Sequence, residues 1–336
     1  MPSLLHTHLQ NILLKNYRVA PTTFILLVYD EQCTLAQLLA DGYKEVINSS
    51  SHKALNFHQH TEEQILTEFS QLPLKSLVIL VQSTSFRMTK HRLRADLFRQ
   101  GHMVLEHMRL SFNTEEEIPH YLNSLQYDTP YYVKMSNKIE KLLSSTVPII
   151  YQSGDGLKLE INSQYEKPIK NTGDFSQQAS ASSGFPIGEI FTEAKDLTAV
   201  NGSISVFAFP TMGHKTFWAD QPFVVTIKDG CLISHTGPSV FEEILQKIKS
   251  EEQDKVQIRE IGFGLNRALG YNKRITEPTS FERFAGVHFS LGLKHAMYRK
   301  KIPKQIYQKY HVDIFCKVDK ITIGDTVVFE KGEYVH

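Results

Sequence analysis

Apolar residues recur in two alternating rhythms over the first 147 positions. Leu4, Leu5, Leu9, Ile12 and Leu13 follow one another at helical spacing, and residues 23–30 then form a run of strand length. Helical spacing returns over residues 32–47, with Leu35, Leu38, Leu39, Tyr43 and Val46 on one face. It returns again over residues 62–72, where His60 or Thr61 stands near the start. Residues 76–82 predict a second buried strand, residues 89–100 a basic helix closed by Gly101, and residues 134–143 a further helix. Strands alternating with helices predict a parallel sheet covered on both faces, so residues 1–147 read as a small α/β domain.

The rhythm changes at Pro148. Residues 147–151 and 157–162 are strand-like and are separated by the turn signal Ser153-Gly-Asp-Gly156. Residues 177–184, rich in Ser and Gly, read as a loop. Residues 203–209 predict a strand, and residues 223–234 a hairpin turning at Asp229-Gly230. An amphipathic helix follows over 240–251. The tail alternates through Ile314, Val318, Ile321, Ile323, Val327 and Phe329, broken at Gly324-Asp325 and Lys331-Gly332. Residues 148–336 therefore read as a β-rich α+β domain, and no internal repeat interrupts either part.

Composition narrows the class. The chain has 336 residues, 37 Lys+Arg against 36 Asp+Glu, and 41% hydrophobic residues, enough for about two domains with sizeable cores. The near-neutral balance argues against a nucleic-acid binder working through bulk charge. Cys33, Cys231 and Cys316 are odd in number and far apart, which gives no disulfide framework and no paired-cysteine metal knuckle. A reducing compartment and a cytoplasmic location are expected. The start carries no charged-then-apolar signal pattern, and the apolar runs at 24–29 and 77–81 are far below the ~20 residues of a membrane helix.

Ligand-type residues gather in the second half. In His311-Val312-Asp313 an imidazole and a carboxylate stand two apart, which on a strand puts both on one face, suited to a divalent cation or simply to a wet surface. Glu189 follows Pro186 and Gly188 and leads into Ile190-Phe191. A carboxylate among buried residues needs a partner or a cation, unless it lies on an edge strand reaching water. Glu260 opens the Gly-punctuated run Glu260-Ile-Gly-Phe-Gly-Leu-Asn266, with Arg259 as a neighbouring neutraliser. His288 sits between Gly286 and Gly292, where close backbone approach is easy, either as a ligand or as a hydrogen-bonded core histidine. Five such ligands match the donor count of two divalent ions sharing carboxylates.

At these residues the chain resembles the aminopeptidase T family of metallopeptidases, the thermophilic leucyl aminopeptidases. Gly188-Glu-Ile-Phe-Thr192 looks like the family's Gly-Glu-Val-Phe-Thr. Glu260-Ile-Gly-Phe-Gly-Leu-Asn266 is similar to its Glu-Leu-Gly-Ile-Gly-x-Asn, and Glu282-Arg-Phe-Ala-Gly-Val-His288 to its Asp-Glu-Lys-x-x-Gly-Thr-x-His. His311-Val-Asp313 matches its His-x-Asp, and residues 321–335 fit its closing hairpin. The first domain fits through strand–helix alternation alone. The resemblance implies metal ligands at Glu189, Glu260, His288, His311 and Asp313, with two zinc, cobalt or manganese ions. It further implies a homodimer of two-domain subunits that removes N-terminal residues from peptides, with Glu260 in the catalytic machinery. The family's tyrosine seven residues after its histidine is His295 here, so His295 is the expected donor to the tetrahedral intermediate, with Tyr298 a looser substitute.

Two other classes are consistent with the same residues. Relatives on this scaffold are mononuclear iron(II) dioxygenases that open hydroxypyridine rings, and a histidine-rich site suits iron(II). A scaffold without turnover, serving as a binding or assembly partner, is the third; a peptide or small-molecule substrate is expected of the enzymes, and neither nucleic acid nor membrane is expected as a partner. Phe217-Trp218 within the aromatic stretch 214–223 offers a contact surface or plain core. Lys90-His-Arg-Leu-Arg94 and Arg299-Lys300-Lys301 with Lys304 offer anion sites or solvated charge.

Overall fold

The computed structural model describes residues 3–48, 51–86, 93–175, 181–251, 253–292, 298 and 310–335. Two compact units emerge, one formed by Met1–Thr129 with Gly173–Ile187 and the other by Pro130–Thr172 with Gly188–His336. This division differs from a single boundary at residue 147. The helix that begins at Thr129 goes to the second unit, and residues 173–187 return to the first because their strand pairs there.

In the first unit, β1 (Ile25–Tyr29), β2 (His52–Asn56), β3 (Leu77–Val81), β4 (Met103–His107) and β8 (Ser182–Gly184) form a parallel sheet in the order β2-β1-β3-β4-β8. The helices are α1 (Leu4–Asn11), α2 (Thr34–Val46), α3 (Glu62–Ser70), α4 (Leu93–Arg99) and α5 (Ile118–Ser124). Every residue of β3 is buried, as its continuous Leu-Val-Ile-Leu-Val run requires of a central parallel strand. Leu26, Val28, Val78 and Leu80 pack there with Ile65 and Phe69 of α3, each contributing roughly 1.5–3 kcal/mol by leaving water. Thr61 caps α3: its hydroxyl accepts from Gln64 N at 3.2 Å while the Gln64 side chain accepts from Thr61 N at 2.8 Å. The helical spacing from Leu4 to Leu13 is realised as an α-helix to Asn11 that continues as a wider helical turn to Asn16. Ser182–Gly184, read from composition as loop, is a strand. The open edge of β4 supplies its partners, with Val104 N donating to Ala181 O at 2.7 Å and Phe185 N to Glu106 O at 2.8 Å. Tertiary pairing overrides the weak strand preference of Ser and Gly.

The second unit is antiparallel. Its path runs β18 (Glu333–Tyr334), β17 (Thr326–Glu330), β16 (Lys320–Ile323), β5 (Ile149–Gln152), β6 (Lys158–Ile161), β10 (Val200–Pro210), β15 (His311–Cys316), β14 (Gly286–Gly292), β13 (Ile258–Gly264), β9 (Glu189–Glu193) and β7 (Ile169–Asn171). The hairpin of β11 (Thr216–Lys228) and β12 (Cys231–His235) joins through β10. It turns at Asp229 and Gly230, both with positive φ (50° and 72°), as the right-handed strand twist demands of a two-residue turn. Helices α6 (Thr129–Leu143), α7 (Ser239–Glu251) and α8 (Pro278–Phe281) complete this part. Phe217 and Trp218 lie in an aromatic cluster, Phe217 against Phe209 at 5.2 Å and Trp218 against Phe281 at 4.8 Å, so they serve as packing. Among the described residues, no helix is long and apolar enough to cross a membrane.

Candidate metal centre

Four neighbouring strands, β15-β14-β13-β9, carry the five residues singled out from sequence. Strand alternation places Glu260, Gly262 and Gly264 on one face of β13, His288 and Ser290 on the same face of β14, and His311 and Asp313 on that face of β15. Register does the rest. Gly262 lies opposite His288, Gly264 opposite Glu189, and Ser290 opposite Asp313. Ser290 Oγ accepts from Glu260 N at 2.9 Å and ties β13 to β14 beside the cluster.

Two glycines make room. Gly188 enters β9 at φ 112°, where a Cβ would lie 2.9 Å from the Tyr132 ring, so Glu189 is delivered by backbone that excludes a side chain before it. At Gly262 a Cβ would lie 2.1 Å from the His288 imidazole, which therefore rests directly on the β13 backbone.

The result is a buried cluster. His288 Nε2 is 3.3 Å from Glu189 Oε1 and 3.5 Å from Glu260 Oε1, with side-chain exposures of 0%, 3% and 5% respectively. Neither contact has hydrogen-bond geometry, and both His288 ring nitrogens and Glu260 Oε2 lack a hydrogen-bond partner among the described residues. His311 Nε2 lies 3.2 Å from Asp313 Oδ1, nearer the surface. Glu189, Glu282 and His288 offer ligand atoms within 4.8 Å of one another. Buried imidazole and carboxylate atoms that face each other without hydrogen bonds suit a divalent cation, so the donor set fits a metal.

Sequence reading did not assign Glu282 or Arg283 a role. They follow α8, whose start is capped by the buried Glu277 accepting from Ser280 N at 2.6 Å. Arg283 Nη1 reaches Glu189 Oε2 at 2.7 Å and also contacts Glu282. Adjacent opposite charges between an aromatic and a Gly-rich strand were the available signal. Glu193 was legible too: four positions beyond Glu189, it shares its strand face, is fully buried and pairs in register with Glu260.

Charge within the cluster is strongly polarised. Burial works against ionised Glu189, but Arg283 and His288 hold its pKa below the ordinary value. Burial raises Glu260 and pushes Glu282 up to about 8. Burial disfavours the His288 imidazolium, yet the Glu189 and Glu260 carboxylates outweigh it and raise its pKa well above the usual histidine value. Burial likewise opposes ionised Asp313, and His311 brings it down to about 2. A cation at this site would compete with a proton on His288, so apparent metal affinity should climb with pH, by up to about tenfold per pH unit for each proton displaced. Calorimetric titration in buffers of different ionisation heat measures the proton count. Affinity independent of pH would remove His288 from the ligand set.

His295 lies outside the described residues, as do Lys90, His91, Arg92, Arg299, Lys300, Lys301 and Lys304. Arg94, from the first basic cluster, pairs with Glu106 at 3.2 Å. Tyr298 is described. Its hydroxyl donates to Lys167 O at 2.9 Å, and burial with the nearby Glu193 and Glu260 raises its pKa.

The chain has the aminopeptidase T fold. AmpT from Thermus thermophilus superposes with a TM-score of 0.61 at 10% identity, covering 99% of each chain. The 2,5-dihydroxypyridine dioxygenase from Pseudomonas putida KT2440 superposes with a TM-score of 0.63 at 14% identity, covering 100% of this chain and 98% of the other. No family model matches the sequence, and no curated protein matches it. Two enzymes of different chemistry thus share this architecture end to end.

Proposed function

We propose that this chain is a metal-dependent hydrolase of the aminopeptidase type, which releases N-terminal residues from peptides. The observation that carries the reading is carboxylate richness: Glu189 and Glu260 flank His288 at 3.3 and 3.5 Å, in addition to the His311–Asp313 pair. Those five residues would hold two zinc, cobalt or manganese ions, which lower the pKa of a bound water towards neutrality and polarise a carbonyl. The chain's own groups supply the remainder. Arg283 keeps Glu189 ionised, and Glu260, with its raised pKa, is suited to take and return a proton. The carboxylate excess, with buried Glu193 and half-buried Glu282 nearby, also attracts the α-ammonium of a peptide. His295 is our candidate donor to the tetrahedral intermediate, and a homodimer is part of the same reading.

A second reading rests on Arg283. Its guanidinium already gives Glu189 and Glu282 a cationic partner, which leaves Glu260, His288, His311 and Asp313, a set that contains the two imidazoles and one carboxylate of mononuclear iron(II) oxygenases. Elemental mass spectrometry on freshly purified protein separates the two. About two zinc, cobalt or manganese ions per chain supports the hydrolase, and Glu260→Ala should then abolish metal-dependent amino-acid release from short peptides. About one iron per chain, with oxygen uptake on a dihydroxypyridine, replaces it with the dioxygenase. No metal after reconstitution refutes both and leaves a binding protein.

A further inference from the structure

We propose that a second ligand site, separate from the metal centre, takes a small aromatic carboxylate. It is a cavity of about 370 Å³ within the second unit, a volume suited to a molecule of one or two rings, and none of the candidate metal ligands lines it. Its walls combine aromatic faces with held cations. The Arg267 guanidinium rests 4.2 Å over the Tyr131 ring, and Lys317 Nζ 4.8 Å over the Tyr271 ring. Lys273 Nζ lies 3.3 Å from Arg267 O, which keeps a third cation beside the first. Glu333 is the only carboxylate among the lining residues, so the cavity carries a positive excess.

These features select a ligand chemistry. Cations fixed on ring faces have already lost much of the side-chain freedom that binding an anion would otherwise remove. The Lys317 ammonium beside the Tyr271 ring pairs with an anionic oxygen, which within aromatic walls points to a ring carboxylate. The lining tyrosines supply aromatic surface for a planar ring to pack on. The site borders the metal centre without joining it: Phe284 contacts Phe315 at 5.8 Å, and Phe315 contacts His288 at 6.2 Å. It therefore does not depend on which metal chemistry is correct.

The chain carries its own reporter. Trp218, its single tryptophan, stacks on the cavity-lining Phe207 at 6.1 Å, and Arg274 lies 4.9 Å over both Trp218 and Tyr271. The test titrates the full chain with benzoate and its neutral counterpart benzamide, read by calorimetry and Trp218 emission. Benzoate should saturate one site per chain, with benzamide about tenfold weaker. Lys317→Gln, at an exposed position, should remove that preference, and chelator treatment should leave it intact. Equal binding of the two compounds, or no saturation in the millimolar range, overturns the proposal. So does benzoate binding that survives Lys317→Gln but is lost in Glu260→Gln, because the carboxylate then sits at the metal centre.

Discussion

Replacing Arg283 with methionine is expected to lower the stability of the metal-free protein by about 3–5 kcal/mol. Arg283, Glu189 and Glu282 are 11%, 3% and 14% exposed at the side chain, so the guanidinium neutralises two carboxylates that water barely reaches. Methionine keeps most of the stem volume and removes the charge. Glu189 then stands buried against Glu260 and Glu282 with only His288 to balance them, and protonating it restores part of the loss. Urea unfolding of chelator-treated protein measures the cost. Saturating divalent metal should return about 2.7 kcal/mol or more at a hundredfold excess over Kd, because metal binds the folded cluster only. A loss below about 1 kcal/mol would mean that these charges are solvated and that the cluster is wetter than its geometry indicates.

Gly262→Ala is expected to abolish metal binding at the proposed centre. The added Cβ would lie 2.1 Å from two atoms of the His288 ring and 2.7 Å from a third, where atoms cannot be. The β13 backbone cannot retreat, since it pairs with β14 on one side and β9 on the other. His288, itself fully buried, must leave its rotamer or distort the strand, a strain of about 1–3 kcal/mol. Metal content should drop at least about tenfold while circular dichroism stays near that of the parent. Gly270→Ala is the control, because nothing lies within 4 Å of a Cβ there. Unchanged metal content in Gly262→Ala would remove His288 as a ligand.

How much of this was legible beforehand follows from the kind of signal each residue gives. The parallel sheet announced itself through runs such as Leu-Val-Ile-Leu-Val at Leu77–Val81, since a strand buried on both faces has no polar positions to confuse. β8 did not, because Ser182–Gly184 owes its conformation to the β4 edge, more than seventy positions earlier in the chain. In the proposed metal centre, alternation put His311 and Asp313 on one face, where they lie 3.2 Å apart, and singled out Glu189 and Glu260, both buried. Which of these would meet was set by register across four strands, and register is not local information. Glu282 and Arg283 lie in a turn after a four-residue helix, where no periodicity guides the eye. Their role appears only once Glu189 has been brought to them.

The spread of the proposed ligands along the chain has a kinetic consequence. Glu189 and Asp313 belong to strands separated by more than a hundred residues, and β14 and β13 must lie between them before any donor set exists. Such high contact order makes assembly of the donor set a late event in folding. A cation at the proposed site would therefore not nucleate this domain early, as it does in small zinc modules; it would lock a sheet that has already closed. Metal loading during refolding would thus time the completion of the antiparallel sheet, lagging behind the helical signal of the first unit.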